Sequence, residues 1–253
     1  KTNPYCSSSP VTDGERVIVW FGSPGILCHD MDGNELWRKD LGPLDHMWGY
    51  GTSPILHENL CILNFGPGAN EALVALDKTT GEEVWRVDPL SVDEELELTG
   101  PENDGNVDPA RDGQDLEKKL RGSWGTPIIE QIGDQTHLIV SHTRRISAYD
   151  PMTGKLQWTC GGLGPLAYTS PMLSQKTVMA LGGYFGGSIA VDADGEGDVT
   201  ETKRVWHKER ESSNWLGTGV AYEGHLYICD MGGVAHCFHV ATGELKWKER
   251  LKN

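Results

Sequence analysis

Ala75-Leu76-Asp77-Lys78-Thr79-Thr80-Gly81-Glu82-Glu83-Val84-Trp85 is the stretch from which the rest of the chain can be ordered. Its aliphatic start predicts a strand, Asp77 to Gly81 a tight turn, and Glu83-Val84-Trp85 a second strand ending in an aromatic. An Asp carboxylate can bond the amides just ahead of it and start such a turn, and Gly supplies the positive φ that completes it. The pattern returns from Ala148 to Trp158 as Ala-Tyr-Asp-Pro-Met-Thr-Gly-Lys-Leu-Gln-Trp. Looser copies end at Trp37, Trp206 and Trp247. The first has a turn one residue shorter, the fourth a long turn from Asp192 to Trp206, and the fifth carries His239 at the Asp place.

Each copy opens on a small polar mark: Ser8-Ser9-Pro10, Thr52-Ser53-Pro54, Gly125-Thr126-Pro127, Thr169-Ser170-Pro171 and Gly217-Thr218-Gly219. The marks step by 44, 73, 44 and 48 residues, and the closing tryptophans by 48, 73, 48 and 41. A period near 45 with one insertion is the signature of a propeller or solenoid. Within a unit, four short aliphatic runs are separated by Gly, Pro, Asp and Asn, the pattern of antiparallel strands with hairpin turns. The fold expected is therefore an all-β propeller of four-stranded antiparallel blades, forming one domain over residues 1–253. Five blades are read, at approximately 5–37, 50–85, 123–158, 167–206 and 215–247, with an acidic insertion at 88–121. Trp37, Trp85, Trp158, Trp206 and Trp247 fall on the outermost strands, where each indole should lie against the neighbouring blade.

The formal net charge of −15 repels phosphate backbones and argues against nucleic acid as a partner. No apolar run is long enough to span a bilayer, so an integral membrane protein is not expected. Cys6, Cys28, Cys61, Cys160, Cys229 and Cys237 form no C-x-x-C pair and read as buried small apolar residues. A disulfide would be open to an exported protein, but spacing assigns none. The chain begins inside a polar, strand-like segment without Met, which suggests a processed or trimmed polypeptide.

Consecutive strands alternate in direction, so the loops between blades share one face with the turns between second and third strands. That face collects Tyr5, His46, Trp48, Tyr50, Trp124, His142, Arg144, Tyr168 and Trp215, most of them just before an innermost strand at the mouth of the central channel. Aromatics with a few charges suit binding. The insertion lies on the same face and holds 11 acidic residues between Asp88 and Glu117. Asp104, Asn106 and Asp108 alternate as in the start of a calcium loop, but Pro109 stands where Gly is needed. On the opposite face Asp192, Asp194 and Asp198 have better spacing, but Lys203 holds the place of the bidentate Glu. A solvated acidic loop and an elaborated turn are the favoured interpretations. No G-x-S-x-G or H-E-x-x-H occurs.

The Ala-x-Asp-x-x-x-Gly-x-x-x-Trp repeat resembles the pyrroloquinoline-quinone-type β-propeller repeat of quinoprotein alcohol dehydrogenases and of BamB, over nearly the whole chain. Residues 8–17 and Trp48-Gly49-Tyr50-Gly51 are similar to BamB-like proteins of planctomycete-type bacteria. The resemblance implies a propeller, usually of seven or eight blades, so that five would be a segment of a larger ring. It also implies an extracytoplasmic setting, periplasmic or at the cell envelope. Quinone-dependent dehydrogenases add adjacent cysteines over the quinone and a calcium held by carboxylate and amide oxygens. This chain has no adjacent cysteines, and no cofactor is expected. A non-catalytic scaffold presenting the channel mouth to a protein, peptide or glycan is favoured. A quinone-dependent dehydrogenase, or a structural subunit of a larger assembly, is the alternative.

Overall fold

The computed structural model describes residues 7–44, 46, 48–68, 70–91, 94, 122–183, 186–209 and 214–251, and five blades are formed among them. The first blade is β1 (Val11–Thr12), β2 (Arg16–Trp20), β3 (Ile26–Asp30) and β4 (Glu35–Lys39). The second is β5 (Ile55–His57), β6 (Leu60–Phe65), β7 (Ala72–Asp77) and β8 (Glu83–Val87). After the short β9 (Gly122–Ser123) comes the third: β10 (Ile128–Ile132), β11 (Gln135–His142), β12 (Arg145–Tyr149) and β13 (Leu156–Gly161). After β14 (Leu166–Ala167) the fourth is β15 (Met172–Ser174), β16 (Thr177–Leu181), β17 (Ser188–Asp192) and, beyond the short β18 (Gly197–Asp198), β19 (Arg204–Lys208). The fifth is β20 (Val220–Tyr222), β21 (His225–Cys229), β22 (Val234–His239) and β23 (Leu245–Arg250). The four main strands of each blade are paired antiparallel in chain order, with a register shift between the third and fourth. No helix among the described residues is long and apolar enough to cross a membrane.

The opening stretch folds as its chemistry dictates. Asp77 Oδ1 accepts from the amides of Thr79 (2.8 Å) and Thr80 (3.0 Å), and Asp150 Oδ1 from Met152 and Thr153 (both 2.9 Å). The turns then serve as seats for the preceding blade. Trp37 Nε1 donates to Lys78 O (3.0 Å), Trp85 Nε1 to Pro151 O (3.0 Å) and Trp206 Nε1 to Val240 O (2.7 Å). The acceptor is in each case the residue after the Asp or His that opens the turn. The ring lies on the turn glycine: a Cβ on Gly81, Gly154 or Gly243 would come within 2.6, 2.7 and 2.9 Å of the indole. These glycines also have φ of +75°, +69° and +67°, so position and backbone both demand Gly.

Trp158 is covered differently. The long turn of the fourth blade folds back, β18 runs parallel to β13, and Val199 N donates to Thr159 O (2.9 Å). Ala193 and Val199 pack with the fully buried Trp158. Trp247 is 47% exposed, the most open of the five outer tryptophans.

At the inner end of the blades, the polar marks bond to one another. Ser9 N donates to Ser53 Oγ (2.9 Å), Ser53 N to Thr126 Oγ1 (3.0 Å) and Ser170 N to Thr218 Oγ1 (3.0 Å). These pairs are separated by 44, 73 and 48 residues, the same steps as the marks themselves. Between marks and outer tryptophans, apolar side chains of neighbouring blades fill the core, as where Trp20, Tyr50, Phe65 and Val74 meet. Cys28, Cys61, Cys160 and Cys237 are buried free thiols, and burial pushes Cys61 and Cys160 up to about 12. Cys229 departs from the expectation of burial and is exposed, because it ends β21 at a turn. Cys6 lies outside the described residues.

Candidate binding face at the channel mouth

Two short segments build the mouth. β9 and β14, which lead into the third and fourth blades, pair in parallel with Gly122 opposite Leu166 and Ser123 opposite Ala167. The next residues are Trp124 and Tyr168, whose rings come to 4.8 Å. Trp124 Nε1 donates to Gly49 O (3.0 Å) and so pins the turn in which Gly49 N donates to His46 O (3.0 Å). That turn carries Trp48, 6.1 Å from Trp124 and 6.5 Å from Tyr168. His46 stands edge-on to Trp124 at 5.0 Å, and its Nδ1 lies 3.3 Å from the Trp48 amide. All four rings are half-buried.

Beneath Trp48, Trp124 and Tyr168 lies a cavity of about 490 Å³. Gly51, Thr126, Ser170, Leu216 and Thr218 are the other described residues of its lining. Counted back from each Pro or Gly mark, Gly51, Trp124, Tyr168 and Leu216 all occupy the third place, and Thr126, Ser170 and Thr218 the first. Tyr50, Ser123, Ala167 and Trp215 occupy the fourth place and are all buried. Successive side chains on an extended segment point to opposite sides, so the odd places face the channel and the fourth place faces the blade.

That alternation corrects part of the expected site. His46, Trp48, Trp124 and Tyr168 come together. Trp215 does not join them: it is fully buried against His236 (5.0 Å) and Phe238 (5.9 Å), and Leu216 takes the place at the rim. Tyr50 is likewise inside, 5.0 Å from Trp20, with its hydroxyl donating to Phe21 O (2.8 Å). Arg144 is 5% exposed because its backbone, at φ +63°, is tied to Gly164 O and to the amides of Gly162 and Leu163. His142 bonds the Tyr149 hydroxyl (3.0 Å) at a small crevice between the second and third blades. Desolvation, and then the Arg145 charge, hold its pKa well below the usual value, so its ring is neutral. Tyr5 lies outside the described residues.

Of the metal candidates, Asp104, Asn106 and Asp108 also lie outside them. Asp192 and Asp194 both pair with Lys176 (2.8 and 3.1 Å), and Asp194 also with Lys203 (3.0 Å). Asp198 Oδ1 instead accepts from the Thr200 amide (2.9 Å) and hydroxyl (2.6 Å). Among the described residues no group of three or more His, Cys, Asp or Glu side chains could hold a metal ion.

The residues missed from sequence were Gly51, Thr126, Ser170, Leu216 and Thr218. Alignment on the marks followed by a period-two count would have found them.

Fold and mouth together define a β-propeller of the quinoprotein-type repeat with an aromatic-walled channel mouth. The chain belongs to the family described as outer membrane protein assembly factor BamB, whose model matches residues 3–92 and 69–214. Among solved structures, BamB from Moraxella catarrhalis is similar at 18% identity and a TM-score of 0.66, covering 96% of this chain and 63% of that one. Quinohemoprotein alcohol dehydrogenase ADHIIG from Pseudomonas putida HK5 is similar at 14% identity and 0.61, over 96% and 42%. The quinohemoprotein alcohol dehydrogenase of Comamonas testosteroni is similar at 15% and 0.59, over 97% and 43%. The chain thus spans less than two thirds of the length of each of these structures. No curated protein sequence matches it.

Proposed function

We propose that this chain is a non-catalytic scaffold that presents its channel mouth to a protein partner at the cell envelope. The observation that carries it is the half-buried cluster of Trp48, Trp124 and Tyr168 at a cavity with no charged residue among its described lining. Large rings offer contact area at little entropic cost, as binding hot spots do, and the Trp124 ring is already fixed by its bond to Gly49 O. The family description and the likeness to BamB support an envelope role in which a protein is bound.

A dehydrogenase of the type seen among the structural relatives would need a calcium-held quinone. The eight described lining residues offer rings, hydroxyls, a glycine and a leucine, and no carboxylate or amide side chain for the cation. They do not fit that group. Added quinone and calcium should give no stoichiometric bound-quinone absorbance and no alcohol-dependent dye reduction.

The test is capture of a partner from envelope extract on the immobilised chain. Trp48→Ala and Trp124→Ala should abolish capture while the circular dichroism stays that of the wild type. Trp247→Ala, a control on an outer strand, should leave capture unchanged. Capture that survives both mouth substitutions overturns the assignment.

A further inference from the structure

The lining of the mouth is selective in its hydrogen bonding. Thr126 Oγ1 and Thr218 Oγ1 already accept the amides of Ser53 and Ser170, at 3.0 Å each. A hydroxyl has one proton to give and two lone pairs, so each keeps its donor and a single lone pair. Trp124 Nε1 is committed to Gly49 O. The described lining therefore offers hydroxyl groups and aromatic faces, and none of its eight described residues carries a carboxylate or amide side chain. It suits a ligand with carbonyl acceptors and apolar flanks.

We propose that the mouth takes an extended, proline-containing segment of a protein partner; this rests on the scaffold assignment above and names the ligand class for the same site. A prolyl residue has a carbonyl that these hydroxyls can meet and no N–H that needs an acceptor. Its ring packs flat on Trp and Tyr, and its polyproline II backbone is already ordered before binding. A glycan fits less well, because every sugar hydroxyl taken from water must find an acceptor for its proton. A cavity of about 490 Å³ is within the range of small-ligand pockets, large enough for a few residues and too small for a folded element.

Gly51 makes the test independent of the aromatic rings. Among the described residues a Cβ there would meet only Trp124, at 3.8 Å, so the position has room for a Cβ, and Gly51→Val adds bulk beside the cavity-lining ring. Acetylated oligoproline should bind the wild-type chain saturably by isothermal titration calorimetry, and oligoalanine of equal length should not. Trp48→Ala and Gly51→Val should each weaken oligoproline by more than about tenfold, at unchanged circular dichroism. If Trp48→Ala does not fold, Gly51→Val alone decides. Absence of saturable oligoproline binding, or wild-type affinity in both variants, overturns the proposal. Saturable binding of cellohexaose that both variants abolish would also overturn it, as would partner capture that depends on the mouth without any oligoproline binding. In those two cases the mouth remains a binding site for another ligand. If the variants change neither capture nor any ligand, the scaffold assignment falls as well.

Discussion

Trp85 and Trp124 lie on either side of the insertion, at opposite ends of the blades, and the same side chain does different work at each. At the outer edge, Trp85 is 9% exposed, its N–H is bonded to Pro151 O, and its ring is pressed on Gly154 of the next blade. At the mouth, Trp124 also has its N–H bonded, to Gly49 O, but its ring is half-buried and lines a cavity. The hydrogen bond is therefore not what separates a tryptophan packed between blades from one that lines the cavity. The difference is whether a neighbouring blade covers the ring.

The largest effect expected from this contrast is on stability at the outer edge. Trp85→Ala should cost about 3–5 kcal/mol, the range for truncating a buried aromatic. The check is the denaturant midpoint. Trp124→Ala should cost well under half of that, because its ring leaves less of its surface to a packed neighbour. Equal costs at the two sites would break the comparison.

Next comes the seat itself. Gly154→Ala places a Cβ 2.7 Å from the Trp85 ring and at φ +69°, and should cost about 1–3 kcal/mol. In Trp85→Ala the clash is gone and only the backbone strain is left. A double-mutant cycle should show the two substitutions costing less together than the sum of their separate costs. Strict additivity would mean that the ring and the glycine do not meet in solution.

His142 tests the boundary between the two regions, because sequence placed it at the mouth and the structure places it inside. Its pKa is depressed from the usual 6.5, so the folded chain resists the proton that the unfolded chain accepts. The unfolded state then binds more protons, and stability falls as pH falls from about 6.5. His142→Asn should make the decline in melting temperature between about pH 7 and pH 5 shallower. Part of the slope should persist, since burial lowers His137 in the same direction. An unchanged slope would return His142 to the solvent.

The propeller was legible because its repeat is local chemistry: an Asp that caps its own turn, a Gly that closes it, and a Trp four residues later. Each signal lies within eleven residues, from Ala75 to Trp85 and again from Ala148 to Trp158. The mouth was legible to within one register step. Trp124 and Tyr168 stand in the third place before their marks, whereas Tyr50 and Trp215 stand in the fourth, and an aromatic count alone does not distinguish them. Two features were beyond spacing. The amide of one mark bonds the hydroxyl of the next, which depends on how blades align. The cover on Trp158 comes from a turn that breaks the repeat and pairs β18 with β13. Both are contacts between units, while a repeat pattern describes what happens within one.

The smallest expected effect belongs to Trp247, and it bears most directly on the rule. It occupies the same strand position as Trp85, yet its ring is 47% exposed, and the nearest aromatic is Tyr227 of its own blade at 6.1 Å. If cover by a neighbouring blade is what makes an outer tryptophan structural, Trp247→Ala should change stability by no more than about 0.5 kcal/mol, the range of ordinary surface substitutions. The complementary seat can be probed at Gly33, where a Cβ would meet nothing within 4 Å among the described residues, in contrast to Gly81 and Gly154. Its φ of +88° still carries a backbone cost, so Gly33→Ala should lose only that part of what Gly154→Ala loses. The decisive measurement is the denaturant midpoint of Trp247→Ala at several protein concentrations. A small, concentration-independent change keeps the rule that cover decides. A loss approaching that of Trp85→Ala would mean that the Trp247 ring is covered in solution by a surface absent from its own blade, and a midpoint that rises with concentration would locate that surface on another molecule.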